Sequence, residues 1–583
     1  MTLLALVRAA LAGPDRPLLY ERDAGGSWAA LGTADVAERV AAIAAALRED
    51  GLLPGDRVAL MSPNRSDWIL ANLGILFAGG VTVPIYATQA LDQVAYIIAD
   101  SGARMLFVDT PAVAARLRDA GIALDPIVFD GPPGAPNSLA ALLARGRRAH
   151  AAFPEALERT EATIGPGDLA VLIYTSGTTG APKGVMLSHG NVASNAHAAF
   201  DLIPDVIRPG DPVLSLLPYA HIYESTNVFG YLVREATIYI NTRIEALLDD
   251  LRDVRPVVVF CVPRIFERTF AAIIAKSRAA GGIKAKLVPW AFFIGRRYKR
   301  AEFDGTPPAP LLRAQFALAH ALVLSKMRAQ LGCDRLRHFV SGSASLHLDI
   351  ALSFAAADLS IMEGYGLTEA SPVVSCNRPG AWRLDTVGRP ITGVEVRIAE
   401  DGEILVRGPN VMQGYYRDAE QTAARIHDGW LATGDVGSLD PDGYLRIVDR
   451  KNEIFKTSGG KFISPSRVEA AVIRSPFVAQ AVVFGRGMPH PVALVSPNWA
   501  AVRSRMQLAP DTPAAELAQR EDVRRFIAAE CARKTADLAT FEQIRWSGVL
   551  PRDLTIEDGE LTPTLKVKRR VVEERFGALV VQN

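Results

Sequence analysis

Alternating helical and strand patterns over the first 110 residues are the feature that most limits the folds open to this chain. Residues 33–50 place Val36, Val40, Ile43 and Leu47 on one side of a helix. The apolar runs that follow indicate strand, helix, strand and strand: RVALMS, SDWILANLGILFAGG, VTVPIY and RMLFVD. This order predicts parallel sheets that helices cover on both faces.

Two later segments depart from this alternation of helices and strands. Residues 264–332 carry long, alanine-rich helical patterns with few strand signals, so we predict a mostly helical excursion there. Residues 394–408 read as a hairpin that turns at Asp401 and Gly402.

The chain divides near Asp449 on these patterns, because a smaller set of helix and strand signals follows that residue. We therefore predict an α/β protein of two parts. A large N-terminal unit, 1–449, contains several subdomains with stacked mixed sheets, and a small mobile α/β domain covers 450–583.

The sharpest chemical signal is YTSGTTGAPKGV, residues 174–185, directly after the buried strand pattern DLAVLIY. Glycine lets a backbone approach an anion closely, while hydroxyls, amides and Lys183 provide donors and charge for phosphate oxygens. A flexible surface loop is the alternative, but phosphate loops characteristically follow buried strands. The candidate anion-binding residues are Thr175, Ser176, Gly177, Thr178, Thr179, Gly180 and Lys183.

Charge and cysteine usage exclude several classes. With 64 Lys and Arg against 63 Asp and Glu, the chain lacks the basic excess of a nucleic-acid binder, so we expect no nucleic-acid partner. Four cysteines without a CxxC spacing argue against a zinc site and fit a reducing compartment. We expect no signal peptide and no transmembrane helix, and therefore a cytoplasmic protein. Nothing in the sequence indicates an oligomeric state.

The loop at 174–185 resembles the signature of the adenylate-forming superfamily, which includes acyl-CoA synthetases, peptide-synthetase adenylation domains and firefly luciferase. Five further segments resemble motifs of that family in the family's order: LPYAHIYE (217–224), GYGLTE (364–369), TGD (433–435), DRKNEIFKTSGGKFISPSRVE (449–469) and LTPTLKVKR (561–569).

The resemblance implies an ATP site. Gly364 and Tyr365 would bind adenine, the tyrosine by stacking, and Asp435 would accept hydrogen bonds from both ribose hydroxyls. Arg450 resembles the family arginine that also reaches the ribose. The alternatives are a core tyrosine, a turn aspartate and a surface ion pair.

Three residues are implied in the first reaction step. Glu369 resembles the family's Mg²⁺ ligand, since a hard cation prefers carboxylate oxygen. Thr368 would donate to the α-phosphate or the acyl carboxylate. Lys566 aligns with the catalytic lysine, although Leu565 stands where glycine is commoner in the family, and a basic run is often only a solvated face.

Further family roles fall on the rest of the motifs. His221 resembles the gate between ATP site and acyl tunnel, or is a core histidine. Gly459, Gly460 and Lys461 resemble the loop lining the entry of the coenzyme A thiol, or form a simple turn. Asn452 stands at the position that pivots between half-reactions, where Asp or Lys is usual; otherwise it is a surface linker residue.

Residues 84–104 and the excursion resemble long-chain fatty acyl-CoA synthetases, which implies a long-chain fatty acid–CoA ligase using ATP, Mg²⁺ and coenzyme A. One alternative is a fatty acyl-AMP ligase that serves a carrier protein, but the 63 residues between Glu369 and Thr433 leave little room for the insertion such ligases carry. A non-catalytic acyl-nucleotide binding protein is the other. The apolar and basic stretch 284–300 suggests peripheral contact at the inner face of a membrane, or a buried helix.

Overall fold

The computed structural model describes residues 1–175, 182–203, 205–509, 511–555, 558–562 and 567–582, with side chains as far as residue 580. By its internal contacts the chain forms two compact units. The larger comprises 1–397, 405–432 and 439–446; the smaller comprises 398–404, 433–438 and 447–583.

Helices of the larger unit alternate with strands through its first half, as the sequence predicts. The predicted helix at 33–50 is confirmed as Thr33–Glu49, and all four of its predicted apolar side chains are buried. The α-helices are Leu3–Leu11, Thr33–Glu49, Ser66–Phe77, Leu91–Ser101, Pro111–Asp119, Leu139–Ala152, Glu155–Ala162, His189–Phe200, Ile222–Val233, Leu247–Val254, Pro263–Ala279, Gly282–Phe303, Pro310–Leu322, Met327–Gln330, Leu348–Ala356 and Ala419–Arg425. Short 3₁₀ turns are Ile244–Ala246, Leu324–Lys326 and Thr368–Ala370.

The predicted helical excursion is confirmed. Between the strands Val258–Cys261 and His338–Ser341, the secondary structure is entirely helical. These strands are nonetheless neighbours, paired in parallel from Val258 opposite His338 to Cys261 opposite Ser341. The excursion is therefore an insertion between two adjacent strands of one sheet.

The sheet that carries the Gly/Thr-rich loop has seven strands among the described residues. Its order is Gly414–Tyr415, Lys183–Ser188, Leu169–Thr175, Val81–Ile85, Arg57–Met61, Met105–Val108 and Ile127–Val128. The central strands are parallel, and the two at the Gly414 end run antiparallel to their neighbours. Buried aliphatic side chains of the parallel strands, such as Val83 and Leu172, form the core on this sheet.

Two other sheets of the larger unit are also mixed. One has the order Trp28–Gly32, Pro17–Arg22, Thr237–Ile240, Pro212–Ser215, and the other Val258–Cys261, His338–Ser341, Ile361–Gly366, Val373–Cys376, Arg389–Pro390. The short strand Ile426–His427 completes the described strands of this unit. The strands divided between the two units are Glu395–Ile398, Glu403–Arg407, Trp430–Leu439 and Leu445–Arg450.

The smaller unit is α/β as well. A hairpin of Phe455–Lys456 and Phe462–Ile463 precedes a mixed sheet ordered Val478–Phe484, Val492–Pro497, Trp546–Val549, Val581–Gln582. Its helices are Pro465–Ile473, Trp499–Met506, Ala514–Leu517, Glu521–Thr535 and Arg569–Phe576, with 3₁₀ turns at Thr540–Glu542 and Gly577–Leu579. The predicted fold class, α/β with stacked mixed sheets and a smaller C-terminal part, is confirmed.

Candidate functional site

The Gly/Thr-rich segment joins two antiparallel strands of the seven-stranded sheet. Thr175 ends one strand and lies directly opposite Lys183, which begins the next. Ser176, Gly177, Thr178, Thr179 and Gly180 lie outside the described residues. The described geometry therefore brings both ends of the segment together at one end of a buried strand pair.

Lys183 lies over an aromatic ring. Its Nζ donates to Oε1 of Gln421 at 2.8 Å and lies 5.4 Å from the ring centroid of Tyr415. Tyr415 belongs to the edge strand that pairs with Lys183–Ser188. Gln421 and Tyr415 are 238 and 232 residues away in sequence, so no local pattern in the sequence predicted these partners.

Glu369 is held by the same tyrosine. The Tyr415 hydroxyl donates to Oε1 of Glu369 at 2.9 Å, and the amide of Met412 donates to the Glu369 carbonyl at 2.9 Å. Burial, and then the neighbouring Glu369 carboxylate, raise the pKa of Tyr415 above its ordinary value, so this phenol remains a donor at neutral pH. One tyrosine thus connects the predicted Mg²⁺ ligand and the predicted phosphate-binding lysine.

The GYGLTE segment turns sharply after the strand Ile361–Gly366. A Cβ on Gly366 would lie 2.1 Å from the carbonyl oxygen of Pro372, so only glycine fits there. The close approach lets Thr368–Ala370 form a 3₁₀ turn that carries Thr368 and Glu369. Gly364 and Tyr365 precede it on the same strand, and the Tyr365 side chain is half-buried.

His221 is the N-cap of the helix Ile222–Val233. Its Nδ1 accepts a hydrogen bond from the amide of Tyr223 at 3.1 Å. The neutral ring therefore carries its proton on Nε2. This cap fixes the ring at the start of a buried helix, and the predicted role of His221 as a gate stays a prediction.

Glu224, one turn further along this helix, is a buried carboxyl that the sequence analysis did not single out. Its side chain is 0% exposed and accepts from the Ser215 hydroxyl at 2.5 Å and from Nδ2 of Asn227 at 3.1 Å. Burial raises its pKa to about 7. Glu363, on the GYGLTE strand, is only partly exposed, and burial also raises its pKa to about 7.

In the smaller unit, the structure brings Asp435 and Arg450 together. Asp435 is only 5% exposed, and one of its carboxylate oxygens lies 2.8 Å from Nε of Arg450. The Asp435 amide donates to the Thr433 hydroxyl at 3.1 Å, and that hydroxyl donates to the Ile404 carbonyl at 2.8 Å. The TGD segment therefore holds its carboxylate rigidly beside a guanidinium.

Asp449, which precedes Arg450, is another residue that the sequence analysis missed. Its carboxylate accepts from the Ser464 hydroxyl at 2.6 Å, and from the Ser466 amide and hydroxyl at 3.1 and 2.9 Å. These serines begin the helix Pro465–Ile473, so Asp449 caps the positive end of that helix.

Asn452 is exposed and lies between two anchored residues. Lys451 Nζ contacts Asp401 at 2.6 Å and Glu403 at 2.7 Å. On the other side, Glu453 pairs with Arg569 at 3.1 Å. The predicted pivot is therefore an exposed residue with ion-paired neighbours before and after it.

Gly459, Gly460 and Lys461 form the exposed turn of the hairpin that begins at Phe455. The turn closes through the amide of Thr457, which donates to the Lys461 carbonyl at 2.9 Å, and Gly460 adopts a φ of +79°. Lys566 lies outside the described residues.

The described residues that could bind a metal ion do not form a large cluster. Within the ranges that the structure describes, no cluster of three or more His, Cys, Asp or Glu could hold a metal ion. A lone carboxylate such as Glu369 nonetheless fits Mg²⁺, which is commonly bound by one or two carboxylates together with substrate phosphates. No described helix is long and apolar enough to cross a bilayer.

Comparison with known proteins gives consistent matches along the chain. The family model described as AMP-binding enzyme matches residues 6–416, and that described as AMP-binding enzyme C-terminal domain matches residues 452–581. The long-chain-fatty-acid–CoA ligase FadD15 of Mycobacterium bovis is 37% identical over 96% of this chain and 93% of its own. Human long-chain-fatty-acid–CoA ligase 1 is 31% identical over 97% of this chain and 82% of its own.

A solved structure has the same fold. The crystal structure of ATP-bound MatB from Rhodopseudomonas palustris superposes with a TM-score of 0.71 at 24% identity, covering 99% of each chain.

Proposed function

The chain belongs to the AMP-binding enzyme family, and from this premise we propose that it activates a long-chain fatty acid with ATP as acyl-AMP and then transfers the acyl group to coenzyme A. The observation that carries this proposal is the likeness to two relatives named long-chain-fatty-acid–CoA ligases over at least 96% of the chain. That likeness includes the C-terminal part, which the thiol-transfer step requires.

The first half-reaction must bring two anions together, the fatty acid carboxylate and the α-phosphate. Unit charges about 4 Å apart repel by about 4 kcal/mol at an effective dielectric of 20. We assign Lys566 to offset this repulsion and Thr368 to donate to the reacting oxygens. Mg²⁺, when bound by Glu369, would supply further positive charge beside the phosphates.

Orientation of the phosphate-binding groups would come from Tyr415. Its hydroxyl holds one oxygen of Glu369 at 2.9 Å, which leaves the carboxylate's other oxygen for a cation. Its ring lies beside the ammonium of Lys183, which we assign to the phosphates with the loop Thr175–Gly180.

The nucleoside would be bound by Tyr365 and by Asp435 with Arg450. Asp435 is almost fully buried, whereas 47% of the Arg450 side chain is exposed. A buried carboxylate that is already oriented accepts ribose hydroxyls at little entropic cost, and the exposed guanidinium remains able to reach the same sugar.

For the second half-reaction we propose domains of 1–449 and 450–583 that rearrange about Asn452. The exposure of Asn452 supports this pivot, since a residue with a solvated side chain can change its backbone dihedrals without losing packing contacts. We assign His221 to gate the acyl tunnel, and Gly459, Gly460 and Lys461 to the path of the coenzyme A thiol.

A chain-length panel tests this function. Purified protein is incubated with ATP, Mg²⁺, coenzyme A and saturated acids from four to twenty carbons, and AMP and thioester are measured for each acid. We expect equal amounts of AMP and acyl-CoA, with highest kcat/KM for long chains. Glu369→Gln serves as the inactive control.

Two outcomes favour the alternatives. Acyl-AMP that accumulates without thioester in the presence of coenzyme A would indicate a fatty acyl-AMP ligase that serves a carrier protein. Nucleotide binding without AMP release for any acid would indicate a non-catalytic acyl-nucleotide binding protein.

We propose a cytoplasmic location with peripheral contact at the inner face of the membrane through 284–300. The described cysteines support a reducing compartment, since all four are free thiols.

A further inference from the structure

Positive charge is concentrated in the helical excursion. Residues 263–330 contain 13 Lys or Arg and three Asp or Glu, a net formal charge of +10, whereas the whole chain carries +1. The remainder of the chain is therefore net acidic, and the near-neutral total hides one strongly basic region. Such a segregated charge creates a local field that attracts anions.

The helix Pro310–Leu322 in this region exposes mainly apolar side chains, whereas a surface helix usually exposes polar ones. Eight of its thirteen residues are exposed, and only Arg313 among them is polar. Leu311, Leu318 and Leu322 are 71, 53 and 44% exposed and lie on one side of the helix at helical spacing. We call the exposed side of this helix, with its three leucines and Ala314, Ala317 and Ala321, the leucine face.

The opposite side of this helix packs on the protein. The ring of Phe316 stacks on Tyr298 of the helix Gly282–Phe303 with centroids 4.0 Å apart, and Ala319 is fully buried. A polar residue also points inward, because Nε2 of His320 lies 2.7 Å from the Asp358 carboxylate. The leucines are thus exposed because other residues of the helix make the contacts between this helix and the rest of the protein.

The helix Gly282–Phe303 alters the sequence-based expectation for 284–300. Ala291, Phe292 and Ile294 from its apolar stretch are buried, so most of that stretch packs inside the protein. Only Phe293 is half exposed, with the Arg297 guanidinium 5.6 Å from its ring.

Four of the eight exposed residues of this helix are cations. Lys284, Lys286, Arg297 and Arg300 are all exposed. This helix therefore supplies positive charge, while its neighbour Pro310–Leu322 supplies the apolar surface.

We propose that the leucine face, with the cations of the excursion, binds the surface of an anionic phospholipid bilayer. A leucine and alanine stripe with a basic surround matches a helix that lies in the interface of such a bilayer. Lys and Arg near it would interact with anionic headgroups, and their long stems would reach past the apolar residues. The inference rests on the proposed function in one respect, since a long-chain fatty acid partitions into the same bilayer.

Vesicle binding tests this surface without using catalysis. Full-length protein is co-sedimented with vesicles of neutral phosphatidylcholine alone and with 30% phosphatidylglycerol. We expect at least tenfold tighter binding to the anionic vesicles, weakened by 0.5 M salt because the cations are exposed. Since the readout is binding, a failure here is distinct from a failure of the ligase assay.

Matched variants locate the contact. Leu318→Gln/Leu322→Gln should reduce binding to anionic vesicles at least fivefold, whereas Leu53→Gln, at a leucine 57% exposed outside the excursion, should leave it unchanged. Lys284→Gln/Lys286→Gln should reduce binding to anionic vesicles but not to neutral ones. The control is Arg118→Gln, at an arginine outside the excursion whose side chain is 69% exposed.

Three results would overturn the proposal: no sedimentation of the wild type with anionic vesicles, equal binding by the leucine variant, or equal loss in the Leu53→Gln control. A wild-type dimer in sedimentation velocity that Leu318→Gln/Leu322→Gln dissociates, without vesicle binding by either protein, would assign the face to a second copy instead.

Discussion

Replacing Tyr415 with phenylalanine tests how the predicted Mg²⁺ ligand is oriented. The change removes only the hydroxyl that donates to Glu369 at 2.9 Å and keeps the ring beside Lys183. Hydrogen bonds to charged groups contribute about 1.5–3 kcal/mol. Because Tyr415 is buried but Glu369 is only partly buried, we take about 2 kcal/mol, which corresponds to roughly a 30-fold change in an equilibrium or rate.

The assay is acid-dependent pyrophosphate exchange measured against Mg²⁺ concentration at saturating fatty acid. Tyr415→Phe should raise the Mg²⁺ concentration for half-maximal rate, or lower kcat/KM for ATP, by about 30-fold. Thioester formation from supplied acyl-AMP should change less than threefold, because Glu369 acts only in the first half-reaction. Tyr444→Phe removes a hydroxyl that donates to a backbone carbonyl at 3.2 Å and serves as the matched control.

One result would refute this reasoning. If Tyr415→Phe keeps the wild-type Mg²⁺ dependence within twofold while Glu369→Gln loses exchange, then Glu369 is a ligand but Tyr415 does not orient it. An equal loss in both half-reactions would instead indicate a general folding defect.

Three further changes have defined outcomes. Lys566→Ala should lose adenylation by at least 100-fold yet retain thioester formation from acyl-AMP, and equal losses in both steps would contradict its assigned role. Asn452→Pro fixes φ and removes the amide donor, so adenylation should persist while thioester formation is lost in single-turnover assays of each step; wild-type acyl-CoA turnover would remove the pivot assignment. Burial raises the pKa of Glu224 from 4.5 to about 7, so this carboxyl stays protonated in the folded protein while it ionises in the unfolded chain, and stability falls progressively as pH rises from about 4.5 to about 7. Glu224→Gln should therefore gain stability relative to wild type across that window, by at most about 3 kcal/mol, and parallel curves of unfolding temperature against pH would disprove the shift.

Local sequence patterns were sufficient to predict individual helices and strands. Helical spacing of Val36, Val40, Ile43 and Leu47 predicted both a helix and its buried side, because a 3.6-residue period is a property of the chain alone. The helical character of the excursion was also evident from composition. The family resemblance of the motifs implied that Asp435 and Arg450 act on the same ribose, and the structure has these two side chains 2.8 Å apart.

Partners that are distant in sequence required the tertiary structure. Tyr415 lies 46 residues from Glu369, and Gln421 lies 238 from Lys183, so only the tertiary structure brings each pair into contact. The cap that Asp449 provides is likewise a contact across 15 and 17 residues.

In the excursion, the exposure of a side chain could not be predicted from its hydropathy, because exposure also depends on tertiary contacts. The sequence correctly marked 284–300 as apolar and basic, yet Phe292 is buried while Leu311 and Leu318 of the next helix are exposed. Hydropathy records which side chains are unfavourable in water, but packing decides which of them are buried. The amino-acid sequence by itself therefore determined the elements, the motifs and their chemistry, and the tertiary structure decided which residues hold the site and which apolar face remains exposed.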